Sequence, residues 1–133
     1  MGANIYHGSC SCERVRFEVK LDLANGTFKC NCTSCIKSRF WGASVKPEAF
    51  KIISGEDSLT IYSQRVEGMF CRVCGTGIGG RGDIPEAGGK FVAINLGALD
   101  DLDPKEWAKA PLHYLDGLHD RWDREPEFKG HLD

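Results

Sequence analysis

The sequence predicts a mostly β domain with one or two short helices. Three observations carry this. Short stretches rich in β-branched and aromatic residues recur along the chain. Turn signals separate them, and glycine alone contributes 16 of 133 residues. Only one segment carries a full helix-start signature. Many short strands between Gly-rich turns, with little helix, is the pattern of an all-β or mostly β domain.

Taken in order, "VRFEVKL" (15–21) sets Val15, Phe17, Val19 and Leu21 on one face against Arg16, Glu18 and Lys20 on the other. That period of two marks a half-buried strand. Asn25-Gly26 reads as a hairpin-type turn, with "GTFKC" leading out of it. A helical turn is expected after Cys35. "FWGASV" (40–45), "FKII" (50–53), "LTIYS" (59–63) and "FVAINL" (91–96) are strand candidates, with "SGED" (54–57) as a turn between two of them. In "DPKEWAKA", Asp103 can cap a helix, Pro104 suits its first position and Glu106 completes a capping box. "PLHYL" is a further possible strand. Residues 119–133 are polar apart from Trp122, Phe128 and Leu132. They are expected to form a tail wrapping the domain surface or a neighbouring subunit, which allows a homodimer. No repeat or linker divides the chain, so residues 1–133 are read as a single domain.

Composition narrows the function. The apolar fraction is 41%, the charged fraction 27% and the formal net charge −2. A dedicated nucleic-acid binder would usually show a basic excess. No apolar run is long enough to span a bilayer, and the N-terminus lacks the basic start and apolar centre of a secretory signal. The expected location is cytoplasmic. In a reducing compartment, clustered cysteines are more often metal ligands or reactive thiols than disulfides.

The chain has seven cysteines. Cys10 and Cys12 form C-x-C; Cys30, Cys32 and Cys35 form C-x-C-x-x-C; Cys71 and Cys74 form C-x-x-C followed by Gly75. The last group resembles a zinc knuckle, in which a glycine lets the backbone turn tightly around two thiolates. Seven divides naturally into four and three. A four-cysteine site can be closed by two pairs. Three cysteines leave one position open, as in catalytic zinc. Three thiolates on Zn²⁺ leave a formal charge of about −1, which suits holding and activating sulfur better than generating hydroxide. A redox C-x-x-C would want a βαβ context that "CRVCGTGIGG" lacks. Spacing alone does not exclude an iron–sulfur cluster. The three groups together favour zinc.

"GSCSCERVRFEV", "CNCTSCIKS", "YSQRVEGMFCRVCGTGI" and "INLGALDD" together resemble the glutathione-dependent formaldehyde-activating enzyme family, a broad group that includes centromere protein V. The resemblance runs from about Gly8 to about Trp122. It implies a tent-like fold of several small coiled antiparallel sheets. It also implies two zinc sites per chain: Cys10, Cys12, Cys71 and Cys74 as a structural site, and Cys30, Cys32 and Cys35 as an open catalytic site. Two positions depart from the family's usual pattern. Glu13 stands where a glycine is usual, and Asn31 where a histidine is frequent between the first two catalytic cysteines.

The function this implies is that of a zinc-dependent carbon–sulfur lyase acting on a glutathione, or other thiol, adduct of formaldehyde or a related small aldehyde. The thiolate would attack the aldehyde carbon. Glutathione carries two carboxylates, and Lys37 and Arg39 are the nearest cations in sequence to receive them. Phe40 and Trp41 either wall the pocket or pack in the core. Of the four histidines, His7, His113, His119 and His131, a surface or capping role is the default, and His113 is the first to test. The rival class is a non-enzymatic zinc scaffold that binds another molecule. "GTGIGG" (75–80) fits G-x-G-x-x-G only formally, because no helix is expected after it.

Overall fold

A computed structural model describes residues 2–62 and 66–133. The last residue of "LTIYS" and the Gln64-Arg65 part of the third family motif therefore lie outside the described residues. The chain is mostly β, as its sequence predicts. Among the described residues ten strands run in order: β1 Asn4–Ser9, β2 Arg16–Leu21, β3 Thr27–Cys30, β4 Trp41–Val45, β5 Phe50–Ser54, β6 Leu59–Tyr62, β7 Glu67–Cys71, β8 Gly77–Ile84, β9 Gly89–Asn95 and β10 Leu112–Leu115. Two short helices, α1 Thr33–Ser38 and α2 Pro104–Lys109, interrupt them.

The strands form two sheets. One has three strands in the order β1-β2-β5, and the other seven in the order β10-β3-β4-β9-β8-β7-β6. Alternation in β2 works as read: Val15, Phe17, Val19 and Leu21 are buried, whereas Arg16 and Lys20 face solvent. These side chains meet Ile78, Ile94 and Met69 from the larger sheet, and Leu96 just past β9, in one apolar core. Every strand pairing is antiparallel except that of β10 with β3.

That exception changes the reading of Asn25-Gly26. The turn is real, but it joins no hairpin. Asp22 caps a 3₁₀ turn over Leu23–Asn25 by accepting from the Ala24 N–H at 3.0 Å, and Gly26 leaves it with φ 99°. The chain then passes from one sheet to the other. The Thr27 N–H donates to Pro111 O at 2.7 Å, and β3 begins alongside β10. The parallel register ends with Leu115 beside Cys30.

Three strands were not anticipated from the sequence: β1, β7 and β8. β8 is the instructive one. Its sequence, GIGGRGDI, has no regular alternation and only two branched side chains, Ile78 and Ile84, among four glycines. Gly79 answers instead to a neighbouring backbone: a Cβ there would lie 2.2 Å from Ala93 O in β9. This also removes the dinucleotide reading of "GTGIGG", whose last glycines sit inside a strand. In α2, Asp103 caps as expected, accepting from the Lys105 N–H at 2.8 Å. Glu106 does not close the capping box. It accepts from the Tyr6 hydroxyl at 2.8 Å and so ties α2 to β1. α1 begins at Thr33, ahead of Cys35, because Cys32 itself caps it.

Gly55 marks the tightest turn between elements. Its φ is 84°, and a Cβ there would lie 1.9 Å from the Arg14 carbonyl oxygen. Neither the dihedral nor the space suits an L side chain. Gly55→Ala is expected to lower stability by more than about 2 kcal/mol, read as a shift of the denaturation midpoint at unchanged m-value.

Candidate metal centres and the turn that closes one of them

The structure gathers the seven cysteines into two groups. Cys10, Cys12, Cys71 and Cys74 place their sulfurs within 4.8 Å of one another, and so do Cys30, Cys32 and Cys35. No further His, Cys, Asp or Glu among the described residues offers a ligand atom within that reach of either group.

The four-cysteine group is built by two loops. Cys10 follows β1, Cys71 ends β7, and Cys12 and Cys74 sit on the exposed tips of the turns that follow. Thr76 clips the loops together: its hydroxyl oxygen accepts from the Ser11 N–H at 3.0 Å and lies in hydrogen-bond contact with Ser11 Oγ at 2.9 Å. Gly75 takes the left-handed conformation, φ 82°, and its N–H donates to Cys71 O at 2.7 Å, which makes the knuckle. Glu13 is also left-handed, φ 63°. A glycine at this position, usual in the resembling family, meets a physical demand that Glu13 satisfies under strain.

Sulfur spacing tests whether zinc fits. A tetrahedron with Zn–S bonds of about 2.3 Å has edges of about 3.8 Å. Cys10 and Cys12 sulfurs are 3.6 Å apart, and Cys12 and Cys71 sulfurs 3.7 Å. At Cys74 thiolate character is favoured as well. Hydrogen bonds from the Thr76 hydroxyl, then from the N–H groups of Thr76 and Cys12, bring the Cys74 thiol down to about 5.

The three-cysteine group sits where β3 runs into α1. Cys30 is buried at the end of β3, and Cys32 and Cys35 are half-buried on the first turn of the helix. The Cys32 sulfur accepts from the Cys35 N–H at 3.4 Å, and Cys30 Sγ accepts from the Cys32 N–H at 3.4 Å. The Cys32 thiol is driven far below its ordinary range, first by hydrogen bonds from Cys30 and Cys35 and then by the N–H groups of Cys35 and Ser34; burial works the other way. Cys30 shifts upward chiefly through its hydrogen bond to Cys32, and Cys35 through its bonds to Cys30 and then to Cys32. One sulfur of the three is thus a ready anion.

The glutathione-dependent formaldehyde-activating enzyme family matches residues 5–115. The chain belongs to this family. A crystal structure of a Rhodobacter sphaeroides protein is similar in fold, with a TM-score of 0.67 at 22% identity, over 80% of this chain and 99% of that one. Both cysteine groups fall inside the family match. What closes the three-cysteine group falls just past it.

Beyond Leu115 the chain turns across the cysteines. Gly117 lies against them so closely that a Cβ would be 2.5 Å from Cys30 Sγ, 3.0 Å from Cys32 Cβ and 2.7 Å from the Trp122 ring. Trp122 therefore supplies the aromatic surface beside the sulfurs, its indole N–H held by Asp120 at 2.9 Å. Phe40 and Trp41 serve packing instead: Phe40 meets Phe28, and Trp41 packs edge-on against Trp107 and donates to the Thr27 hydroxyl. Lys37 and Arg39 are exposed at the end of α1. Arg39 holds a left-handed backbone and donates to Asp133 O at 3.5 Å.

A polar knot fixes this turn. Asn31, only 8% exposed, donates to Asp116 Oδ1 at 2.9 Å and accepts from the Leu118 N–H at 2.9 Å. Its own N–H donates to Leu115 O at 3.2 Å. Asp116, with its side chain 3% exposed, also receives His119 at 2.9 Å and Arg124 at 3.3 Å. Neither Asn31 nor Asp116 was singled out as a site residue by sequence reasoning. The signal available was Asn31's place between two ligand candidates. Nothing in the sequence marked Asp116.

Two predictions follow from the knot. Asn31→Ala leaves Asp116 Oδ1 and the Leu118 N–H each short of a partner. The expected cost is about 1–3 kcal/mol, read by denaturation, and Asn31→Asp should cost more because it faces one carboxylate with another. The Asp116 carboxyl is held below the usual range, first by the Asn31 amide and then by His119 and Arg124, while burial opposes. A depressed folded value means the contribution is complete above the unfolded value and is lost as pH falls through the folded one. Hydrogen exchange should show residues 116–124 loosening only below about pH 4.

Proposed function

We propose that this chain is a zinc-dependent carbon–sulfur lyase acting on a glutathione, or other thiol, adduct of formaldehyde or a related small aldehyde. The observation that supports it most is the contrast between the two cysteine groups. One offers four sulfurs at tetrahedral spacing. The other offers three, with no fourth ligand within reach among the described residues. A closed set of four suits a structural metal, and a set of three suits a site that leaves one position for substrate.

Cys30, Cys32 and Cys35 would hold the second zinc, which supplies a Lewis acid and a site where a thiol loses its proton readily. The chain's own residues supply the rest. Three thiolates are gathered at one helix start. Gly117 lets the backbone lie directly against the cysteines, with the Trp122 ring packed on the same glycine. Lys37 and Arg39 remain the cations nearest in sequence for the two carboxylates of glutathione. The family supports glutathione and formaldehyde as the reactants.

Metal analysis should find two zinc ions per chain. A chelator should remove one well before the other, and Cys32→Ser should carry a single, chelator-resistant ion. A protein that holds one zinc as isolated, or two that resist chelation equally, argues for the scaffold reading instead. Exchange spectroscopy on glutathione and formaldehyde tests the reaction directly. Adding protein should speed interconversion with S-hydroxymethylglutathione above the protein-free rate, and Cys32→Ser should abolish the gain.

A further inference from the structure

The turn that closes the three-cysteine group carries a histidine that packing does not require. His119 Nδ1 lies 2.9 Å from one oxygen of Asp116 and 3.1 Å from the other. An ionised carboxylate only accepts, so Nδ1 carries the hydrogen, and in the neutral ring Nε2 is left as the acceptor. The His119 side chain is 63% exposed while that of Asp116 is 3% exposed. Nε2 has no hydrogen-bond partner among the described residues. The carboxylate is therefore buried and fixed, and the far edge of the ring is presented to solvent.

One residue separates this pair from the sulfurs. Gly117, between Asp116 and the ring-bearing end of the turn, is the residue pressed against Cys30 Sγ and Cys32 Cβ. The next N–H, from Leu118, is held by Asn31, which stands between Cys30 and Cys32 in sequence. The turn is thus one wall of the three-cysteine site. His7 and His113 lie elsewhere. His7 is engaged by Asp101 and faces Glu18 at β1. His113, first in line from the sequence, packs its ring against Gly26 at the start of β3, away from Cys30 at its end. His131 lies in the final 3₁₀ turn.

We propose that His119 is the proton carrier of the thiol addition, with Asp116 as the positioning residue that fixes its tautomer. This rests on the lyase reading above. His119 Nε2 takes the proton of the glutathione thiol. The sulfur electron pair forms the bond to the aldehyde carbon, and the carbonyl π pair moves to oxygen. That oxygen takes the proton back from Nε2–H, giving S–CH₂–OH. Nothing is oxidised or reduced, and the reverse sequence releases the aldehyde. The protonated ring is formed where the charge suits it. It faces the Asp116 carboxylate from its own turn, two residues beyond the glycine that lies against Cys30. Among the described residues, Arg124 is engaged by Asp116 and Arg121 by Asp123. Asp120, next to the ring, receives the Trp122 indole N–H.

The test uses the full-length zinc protein, His119→Gln and Asp116→Asn. Exchange rates between glutathione with formaldehyde and S-hydroxymethylglutathione are measured across pH, with zinc content in parallel. Ring ¹⁵N spectra report the His119 tautomer independently of activity. His119→Gln should keep its zinc, lose about 10²-fold or more in rate and lose the acid limb of the pH profile. The spectra should show the Nδ1–H form in the native protein and a mixed population in Asp116→Asn. The proposal is overturned by a native Nε2–H tautomer, by a His119→Gln protein within about threefold of native rate with its acid limb intact, or by loss of zinc in step with loss of rate. A zinc-loaded native protein with no exchange above background overturns the lyase reading itself and this proposal with it. An active native protein with an unaffected His119→Gln variant overturns the proposal alone.

Discussion

The buried carboxylate of Asp116 is the interaction on which the three-cysteine region depends. It joins side chains from three stretches of chain at one point. Asn31 comes from the cysteine loop, His119 from the turn that covers it and Arg124 from the final segment. A carboxylate is costly to bury unless its lone pairs are filled, so the position of each donor is constrained by the others. The parallel pairing of β10 with β3 makes this possible. It sets Leu115 beside Cys30, so the residue after each strand falls beside the other: Asn31 next to Asp116. The exception to an otherwise antiparallel plan is therefore what builds the site.

The two cysteine groups differ in how they are supported, and this bears on what each can do. The four-cysteine group is held by its own loops, through Thr76, Ser11 and Gly75. It needs nothing from the rest of the chain beyond the strands that lead into it. The three-cysteine group is supported on one side by the α1 cap and on the other by a turn more than eighty residues away in sequence. A site assembled from local loops suits a staple. A site with a wall contributed from afar suits a pocket, because the wall can be shaped without disturbing the ligands.

The sequence was most legible where chemistry repeats at short range. The cysteine groups, the alternating strand around Phe17 and the Asp103-Pro104 helix start could all be read, because each is decided by residues within a few positions of one another. Legibility failed where a residue answers to a distant backbone. β8 looked like turn material because Gly79 is selected by Ala93 O, not by strand propensity. Asn25-Gly26 looked like a hairpin because the turn's shape is local, whereas its partner strand is not. Glu106 looked like half of a capping box until Tyr6, 100 residues away, claimed it. For the site, the ligand candidates were visible and their surroundings were not. Trp122 and His119 lay in a stretch that read as a polar tail, and Asp116 resembled any surface acid.

Charge explains why that tail matters. A closed zinc site with four thiolates carries a formal charge of about −2, and an open one with three about −1. A buried aspartate beside the open site would add to the repulsion felt by an incoming thiolate if its charge stood alone. It does not stand alone: the Asn31 amide, Arg124 and His119 all converge on it. Two of these donors are fixed in character. The third can change its protonation, so the knot can accept a proton without the carboxylate giving up a partner. An arrangement made only to hold the loop in place would have no use for a histidine with its far nitrogen exposed, since a second asparagine or an arginine would serve. On the proposed function, a histidine at that point, two residues beyond the glycine that lies against Cys30, is what would turn a wall into a working part of the site.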